Sequence, residues 1–407
     1  MSSVSSDRPD HHGDRERPAI SVVIPVYNSA PMLQRCLEGL WQSRGVAWEC
    51  IVVDDGCTDE SVAVAREWGA QVVRTEQPRS GPGRARNLGA QAASAPLLCF
   101  VDADVVVRPD TLAQFVMLFA SDPQLAAAFG SYDDRPAAPD LLSQYRNLLH
   151  YFVHQSGREA ASTFWAGCGA IKRSVFLTLG GFDPSYARPS IEDIELGYRL
   201  RAGGERIRLA KHIQVTHLKR WTLRGIVTTD IRDRALPWTE LIVRSRSLPN
   251  DLNLDAGSRV SALGVYGLVA LVALGWWLPV AWLGALVTVA VLLACNWGLY
   301  AFFLRQRGFW FLLRVIPIHW LYYGYSALAF AGGIAYGSLK FRRPGAIPTS
   351  DLPLVPIVDR VGPPTRPEEP APAEASAAAG PQRAATRRPR ARAGRNRDES
   401  LQRNPKP

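Results

Sequence analysis

The chain predicts an α/β fold, a mostly parallel sheet with helices on both faces, followed by an α-helical membrane region. Three observations carry this. Apolar strand-like runs alternate with amphipathic helical ones through residues 19–221, the pattern of a parallel sheet covered on both sides. No charged residue lies between Arg259 and Arg305, a span long enough for two crossings of about 20 residues each. From about Val361 the composition turns to Pro, Ala and Arg, which cannot bury enough apolar surface to offset ordering entropy.

The elements follow in order. "AISVVIPVY" (19–27) is a strand, "PMLQRCLEGLWQS" (31–43) a helix and "ECIVVDD" (49–55) a strand. "TDESVAVAREWG" (58–69) is a helix with a polar start and a terminal Gly, both boundary signals. "AQVVRT" (70–75) is a short strand, "RARNLGAQAA" (84–93) a helix and "PLLCFVDAD" (96–104) a strand. Residues 1–18 are polar with no apolar stretch, which predicts a disordered leader and a catalytic region that begins in the cytoplasm. The six cysteines (36, 50, 57, 99, 168, 295) contain no C-x-x-C pair and read as small hydrophobes of a reducing compartment.

Net charge is +10, but its placement excludes nucleic acid as the expected partner. The surplus gathers in residues 211–259, nine Lys/Arg against five Asp/Glu, and 359–407, eleven against six. Those segments flank the apolar region, where anionic lipid head groups are the natural partner. Within residues 259–340 two helices are expected over 261–304, turning at "WWLPVAW" (276–282), and a third over 316–339. A third crossing would put "KFRR" outside, against the positive-inside tendency, so two or three crossings both stand. Residues 222–258 read as amphipathic interfacial segments, and 341–407 as a disordered Pro/Ala/Arg-rich tail.

Ligands of parallel α/β sheets bind beyond the carboxyl ends of the strands, where Asn28, Asp54, Asp55, Asp102 and Asp104 stand. Alternate residues of a strand share a face, so Asp102 and Asp104 are expected to aim two oxygens at one point. That suits a hard divalent cation, Mg²⁺ or Mn²⁺. A D-x-D pair alone is weak, since a turn with solvated acids looks the same.

Further motifs sharpen the reading. "SVVIPVYN" (21–28), "VVDDGCTDES" (52–61), "GPGRARNLGA" (81–90), "FVDADV" (100–105), "GCGAIKRSVFLTLGGFDPSY" (167–186) and "EDIELGYRL" (192–200) occur in that order. Together they resemble the family 2 glycosyltransferases of GT-A fold over about residues 19–221. The resemblance implies a nucleotide-sugar donor. Pro25, Tyr27, Asn28 and Asp55 would hold its base, uracil by preference, with Asp54 nearby. Asp102 and Asp104 would hold a divalent cation on the diphosphate, with Arg84 and Arg86 adding charge there or serving as ordinary surface residues of a helix start.

By the same resemblance one carboxylate of Glu192 and Asp193 is the general base that deprotonates the acceptor, and Asp193 is the assignment. The alternative is a charged helix cap. His217 in "VTHLKRW" is the expected third metal ligand, as in several relatives. His150 and His154 share a helix face with nothing beside them to complete a site. Gly167 and Gly169 would let backbone approach the substrate, and Trp165 would stack on a sugar or merely pack. The implied enzyme sits in the inner membrane as a multi-pass protein with its catalytic domain cytoplasmic, and acts on a lipid-linked or envelope glycan acceptor. A processive polysaccharide synthase, suggested by the likeness of "HLKRW" to Q-x-x-R-W, a sugar nucleotidyltransferase and an inactive membrane scaffold remain as alternatives.

Overall fold

A computed structural model describes residues 17–245 and 256–340. The expected leader and tail, and the middle of the interfacial segment, lie outside the described residues. The amino-terminal half alternates as the apolar runs require: β1 (Ile20–Val26), α1 (Ala30–Leu40), β2 (Trp48–Asp54), α2 (Ser61–Glu67), β3 (Gln71–Arg74), α3 (Pro82–Ala92) and β4 (Leu97–Val101). Then come β5 (Val105–Val106), α4 (Thr111–Ser121), β6 (Leu125–Tyr132), α5 (Leu141–Ser156), β7 (Cys168–Lys172), α6 (Arg173–Thr178), α7 (Glu192–Ala202) and β8 (Arg206–His217).

The strands form one sheet in the order β3-β2-β1-β4-β7-β6-β8-β5. Strands β3, β2, β1 and β4 are all parallel, so their carboxyl ends share one edge. Strand β7 enters antiparallel between β4 and β6. Because alternate side chains of β1 point to opposite faces, Val22 and Ile24 join the core under α1 while Val23 joins the core under α3. Both faces are dry, which is why these strands read as unbroken apolar runs. On the second face Phe100 is fully buried, with Phe176 and Phe182 at 5.2 Å between ring centroids.

After the sheet, α8 (Leu223–Thr228), a π-helical turn (Thr229–Ala235) and α9 (Leu236–Ser245) run consecutively. Four more helices follow: α10 (Ala256–Gly275), α11 (Val280–Cys295), α12 (Trp297–Arg307) and α13 (Phe309–Lys340). The expected break falls at the tryptophans before Pro279. Two expectations change. Residues 223–245 do not form an interfacial stripe: Asp230, Thr239, Leu241 and Ile242 are buried, and Thr239 packs on Gly333 of α13. The expected third crossing over 316–339 is part of a longer helix, α13, whose apolarity falls short of a span's. Among the described residues one helix, 257–275 with mean hydropathy 1.6, is long and apolar enough to cross a membrane. The count becomes two if α11 and α12, bent by 71°, are taken as one broken span.

Helix α5 shares a core with the C-terminal helices. Tyr145, Leu148 and Leu149 of α5 pack on Tyr300 and Phe303 of α12 and Val315 of α13. Replacing Phe100 by Ala should empty a site that its aromatic neighbours cannot close, at a cost of about 3–5 kcal/mol. The check is the unfolding free energy of the full chain in detergent; a loss below about 1 kcal/mol would show that the second core does not pack on that ring.

Candidate active site

The carboxyl edge of β1 to β3 is held together by its own polar side chains. Asn28, in the left-handed region at φ 47°, accepts from the Thr58 N–H at 2.8 Å and ties β1 to the loop after β2. Asp54 Oδ1 accepts the Gly56 and Cys57 N–H groups at 2.9 and 2.6 Å. Asp55 takes the Ser80 and Gly81 N–H groups at 2.8 and 2.9 Å and the Thr75 hydroxyl at 3.0 Å. Both carboxylates are buried; Asp54 shapes the loop after β2 and Asp55 the loop that leads into α3. Pro25 sits between Ile24 and Val26 in the strand, and Tyr27 is exposed with Arg79 over its ring at 5.1 Å.

The two arginines of α3 part company. Arg84 Nε donates to the Pro184 carbonyl at 2.9 Å and lines a shallow cavity of about 210 Å³ with Thr75, Glu76, Gln77, Ser80 and Leu88. Arg86 points inward and is 5% exposed. Its Nη2 meets Asp102 Oδ1 at 2.6 Å and its Nη1 meets Glu192 Oε1 at 3.0 Å. One guanidinium thus bridges the carboxylate after β4 to the carboxylate that opens α7. The surface reading of Arg86 fails, because the pair it bridges cannot be desolvated without it.

Asp102 and Asp104 do not lie on a strand, as the alternation implied. Strand β4 ends at Val101, and Asp102 to Asp104 form a turn closed by Val105 N–H on the Asp102 carbonyl at 3.0 Å. The turn still serves the expected end. Val105 pairs with His217 across β5 and β8, and the Leu218 N–H bonds the Asp104 carbonyl at 2.8 Å. That register sets His217 Nε2 3.3 Å from Asp104 Oδ2. The His217 ring stacks on Tyr132 at 4.4 Å, and its Nδ1 lies 2.6 Å from Asn147 Oδ1. With Nδ1 on that oxygen, Nε2 is the ring nitrogen that faces Asp104. Two carboxylates and an imidazole are a suitable donor set for Mn²⁺ or Mg²⁺. Yet Asp102 is turned to Arg86, and among the described residues no three His, Cys, Asp or Glu side chains are gathered as a metal cluster. Burial raises the Asp102 carboxyl above its ordinary range despite Arg86. Burial pushes Asp104 the same way, but His217 and Lys219 outweigh it and hold that carboxyl below its ordinary range.

The Glu-Asp pair divides its labour. Glu192 is buried, with Oε1 on Arg86 and Oε2 accepting the Ser190 N–H at 2.9 Å. Asp193 is half-buried and accepts only backbone N–H groups, Ala166 at 3.2 Å and Ile194 at 2.8 Å. Burial and the neighbouring Glu192 charge push its carboxyl up to about 7, where a carboxylate exchanges protons at neutral pH.

Other residues were invisible as site members. The "TTDIRDRA" stretch, read as an amphipathic stripe, winds into the π-turn, which no periodicity signals. Asp230 of that turn pairs with the buried Arg146 of α5 and accepts the Tyr325 hydroxyl of α13 at 2.6 Å. The Arg146 guanidinium also lies 5.6 Å over the Trp221 ring. Trp165 packs rather than projects: its ring meets Tyr132 at 4.8 Å and His154 at 5.2 Å. Its indole occupies the space a side chain at Gly167 would need, within 2.6 Å. So Gly167 is small for Trp165, not for a substrate.

Residues 21–180 match the family model described as glycosyl transferase family 2. An uncharacterised protein of Mycobacterium tuberculosis is 29% identical over 302 residues, 68% of this chain and 86% of that protein. Validoxylamine A glucosyltransferase of Streptomyces hygroscopicus subsp. jinggangensis is 30% identical over 220 residues, 46% of this chain and 52% of the relative. The match thus spans about half the length of that glucosyltransferase. Among solved structures, a mannosyltransferase of Pyrobaculum calidifontis in complex with GDP-mannose and Mn²⁺ is 20% identical. The likeness covers 80% of this chain and 87% of that one at a TM-score of 0.47. Residues 21–180 therefore form a domain of the glycosyl transferase family 2 type.

Arg86→Gln should destabilise the full chain by about 3–5 kcal/mol near neutral pH, because two buried carboxylates lose their cation. The sign with pH follows. Without the guanidinium the Asp102 carboxyl, already raised by burial, rises further in the folded state, so the variant gains relative to wild type as pH falls and loses as pH rises. Melting curves at pH 5 and pH 8 check this; an equal deficit at both would mean that Arg86 acts by packing alone.

Proposed function

We propose that the chain is a membrane-anchored, cation-dependent, inverting glycosyltransferase that moves a sugar from a UDP-linked donor to a lipid-linked or envelope glycan acceptor. The observation that carries the reading is the Arg86 bridge. It ties Asp102, the near neighbour of Asp104 and His217, to Glu192, the neighbour of Asp193. Membrane anchoring is supported by α10, whose Leu263 and Val269 are 75% and 65% exposed, an apolar surface that calls for a partner.

Asp102, Asp104 and His217 would hold the cation. Bound there, it would neutralise the charge that gathers on the departing nucleoside diphosphate. Asp193 accepts the proton of the acceptor hydroxyl while that oxygen attacks the anomeric carbon from the face opposite the leaving group. The electron pair of the broken C–O bond leaves with the diphosphate, and the anomeric configuration inverts. Glu192 keeps its charge on Arg86, and that fixed negative charge is one reason the Asp193 carboxyl holds its proton up to about 7. The donor base would lie over Tyr27 beside the loop organised by Asp55.

The reading is tested by incubating the detergent-solubilised full chain with a panel of UDP- and GDP-sugars and measuring released nucleotide. Removing divalent cations with a chelator should abolish release, and Mn²⁺ should restore it; full turnover in the chelator would sink the metal assignment. Asp104→Ala should lose the Mn²⁺ response. Asp193 works only when ionised, so turnover should rise with pH through about 7 and level off above it. Asp193→Asn should lower kcat by about 10²–10⁴-fold with KM little changed. A variant as fast as wild type would remove Asp193 from the chemistry.

A further inference from the structure

The seam between the acid pair and the C-terminal helices holds a half-buried cation, Arg234, which Asp230 and Asp193 offset only at longer range. Arg234, on the π-turn, lies with Nη1 3.3 Å from His150 Nε2 of α5. It forms no ion pair with a described carboxylate. The two buried arginines nearby do: Arg86 takes Asp102 and Glu192, and Arg146 takes Asp230. To accept from a guanidinium, His150 Nε2 must be unprotonated, so the imidazole positions Arg234 without balancing its charge. A desolvated charge with no partner is costly, and chains retain such groups where a ligand supplies the partner.

Its place narrows what that ligand is. The carbonyl of Asp233, one residue earlier, accepts the Ser190 hydroxyl at 2.8 Å, and the Ser190 N–H bonds Glu192. The π-turn therefore lies against the start of α7, where Asp193 stands. In the other direction the chain continues into α9, which packs on α13 through Thr239 and Gly333. Arg234 thus sits between the base and the apolar helices, on the route of an acceptor held in a bilayer.

We infer that Arg234, steadied by His150, binds a phosphate ester carried by the acceptor close to the hydroxyl that Asp193 deprotonates. This deepens the proposed function and rests on its assignment of Asp193. Planar guanidinium donors suit phosphate oxygens in paired contacts. The contact would anchor the acceptor and takes no part in bond breaking.

Farnesyl phosphate and farnesol, which differ only in the phosphate, are the probes. Their affinities for the full chain in detergent are read by tryptophan fluorescence, with UDP plus Mn²⁺ titrated into the same samples. Farnesyl phosphate should bind wild type about tenfold or more tightly than farnesol. Arg234→Gln should bring the two level, Arg234→Lys should keep part of the preference, and UDP affinity should be unchanged in both. No preference in wild type overturns the inference. So does a loss confined to UDP, which would give Arg234 to the donor diphosphate. If Arg234→Gln does not fold, Arg234→Lys decides: affinities equal to wild type overturn the assignment. Binding is read without turnover, so a chain that discriminates the phosphate yet is unaffected in turnover by Asp193→Asn would sink the base assignment alone.

Discussion

The arrangement of this protein depends on one guanidinium. Asp102, after β4, and Glu192, at the start of α7, are far apart in the chain, and each is costly to bury. Arg86 makes their approach possible by giving one nitrogen to each. Replacing it by an apolar group would leave two carboxylates facing each other in low dielectric. The bridge has a second effect through what it leaves out. Asp193 has no such partner, so the charge that Arg86 stabilises on Glu192 bears on Asp193 and, together with burial, holds its proton up to about 7. An ion pair and a carboxyl of raised proton affinity are thus made from adjacent residues by the direction each side chain takes off the first turn of α7.

A second buried pair has a parallel role at the other side of the cleft. Arg146 of α5 and Asp230 of the π-turn join the catalytic layer to the helical region, with the Tyr325 hydroxyl of α13 as a third member. The π-turn is the local irregularity that this clamp requires. An α-helix would carry Asp230 and Arg234 on a common stripe, four residues apart. The wider turn lets Asp230 face Arg146 and Tyr325 while Arg234 faces His150. Such turns gather at functional positions because they re-aim side chains at small backbone cost.

How much of this the amino-acid sequence discloses depends on the kind of interaction. The strands β1 to β4 and their helices are legible because burial on both faces leaves unbroken apolar runs, and the polar residues at their ends mark the edge where ligands bind. The nearness of Asp104 and His217 is legible only through family resemblance, since it is produced by the pairing of a two-residue strand, Val105–Val106, with the end of β8. Alternation misplaced Asp102 and Asp104 on a strand because nothing local distinguishes a strand's last residues from a turn. Asp55 illustrates the converse. Its position at a strand end reads as ligand binding, yet its oxygens are taken by Thr75, Ser80 and Gly81. Whether a carboxylate is free is a property of the loop that folds over it, and that loop is twenty or more residues away. Arg86 and Arg234 carry no local signal at all, since a buried arginine and an exposed one look alike until their partners are known.

The charges left unbalanced after these internal pairings have a geometry of their own. Asp102 gives an oxygen to Arg86, and Asp104 stands beside His217. Lys219 acts on Asp104 while it lies over the Trp221 ring at 4.2 Å. Arg234 forms no ion pair with a described carboxylate and lies against an imidazole nitrogen. The internal ion pairs therefore do more than hold the fold: by consuming some charges completely, they decide which ones remain for substrate.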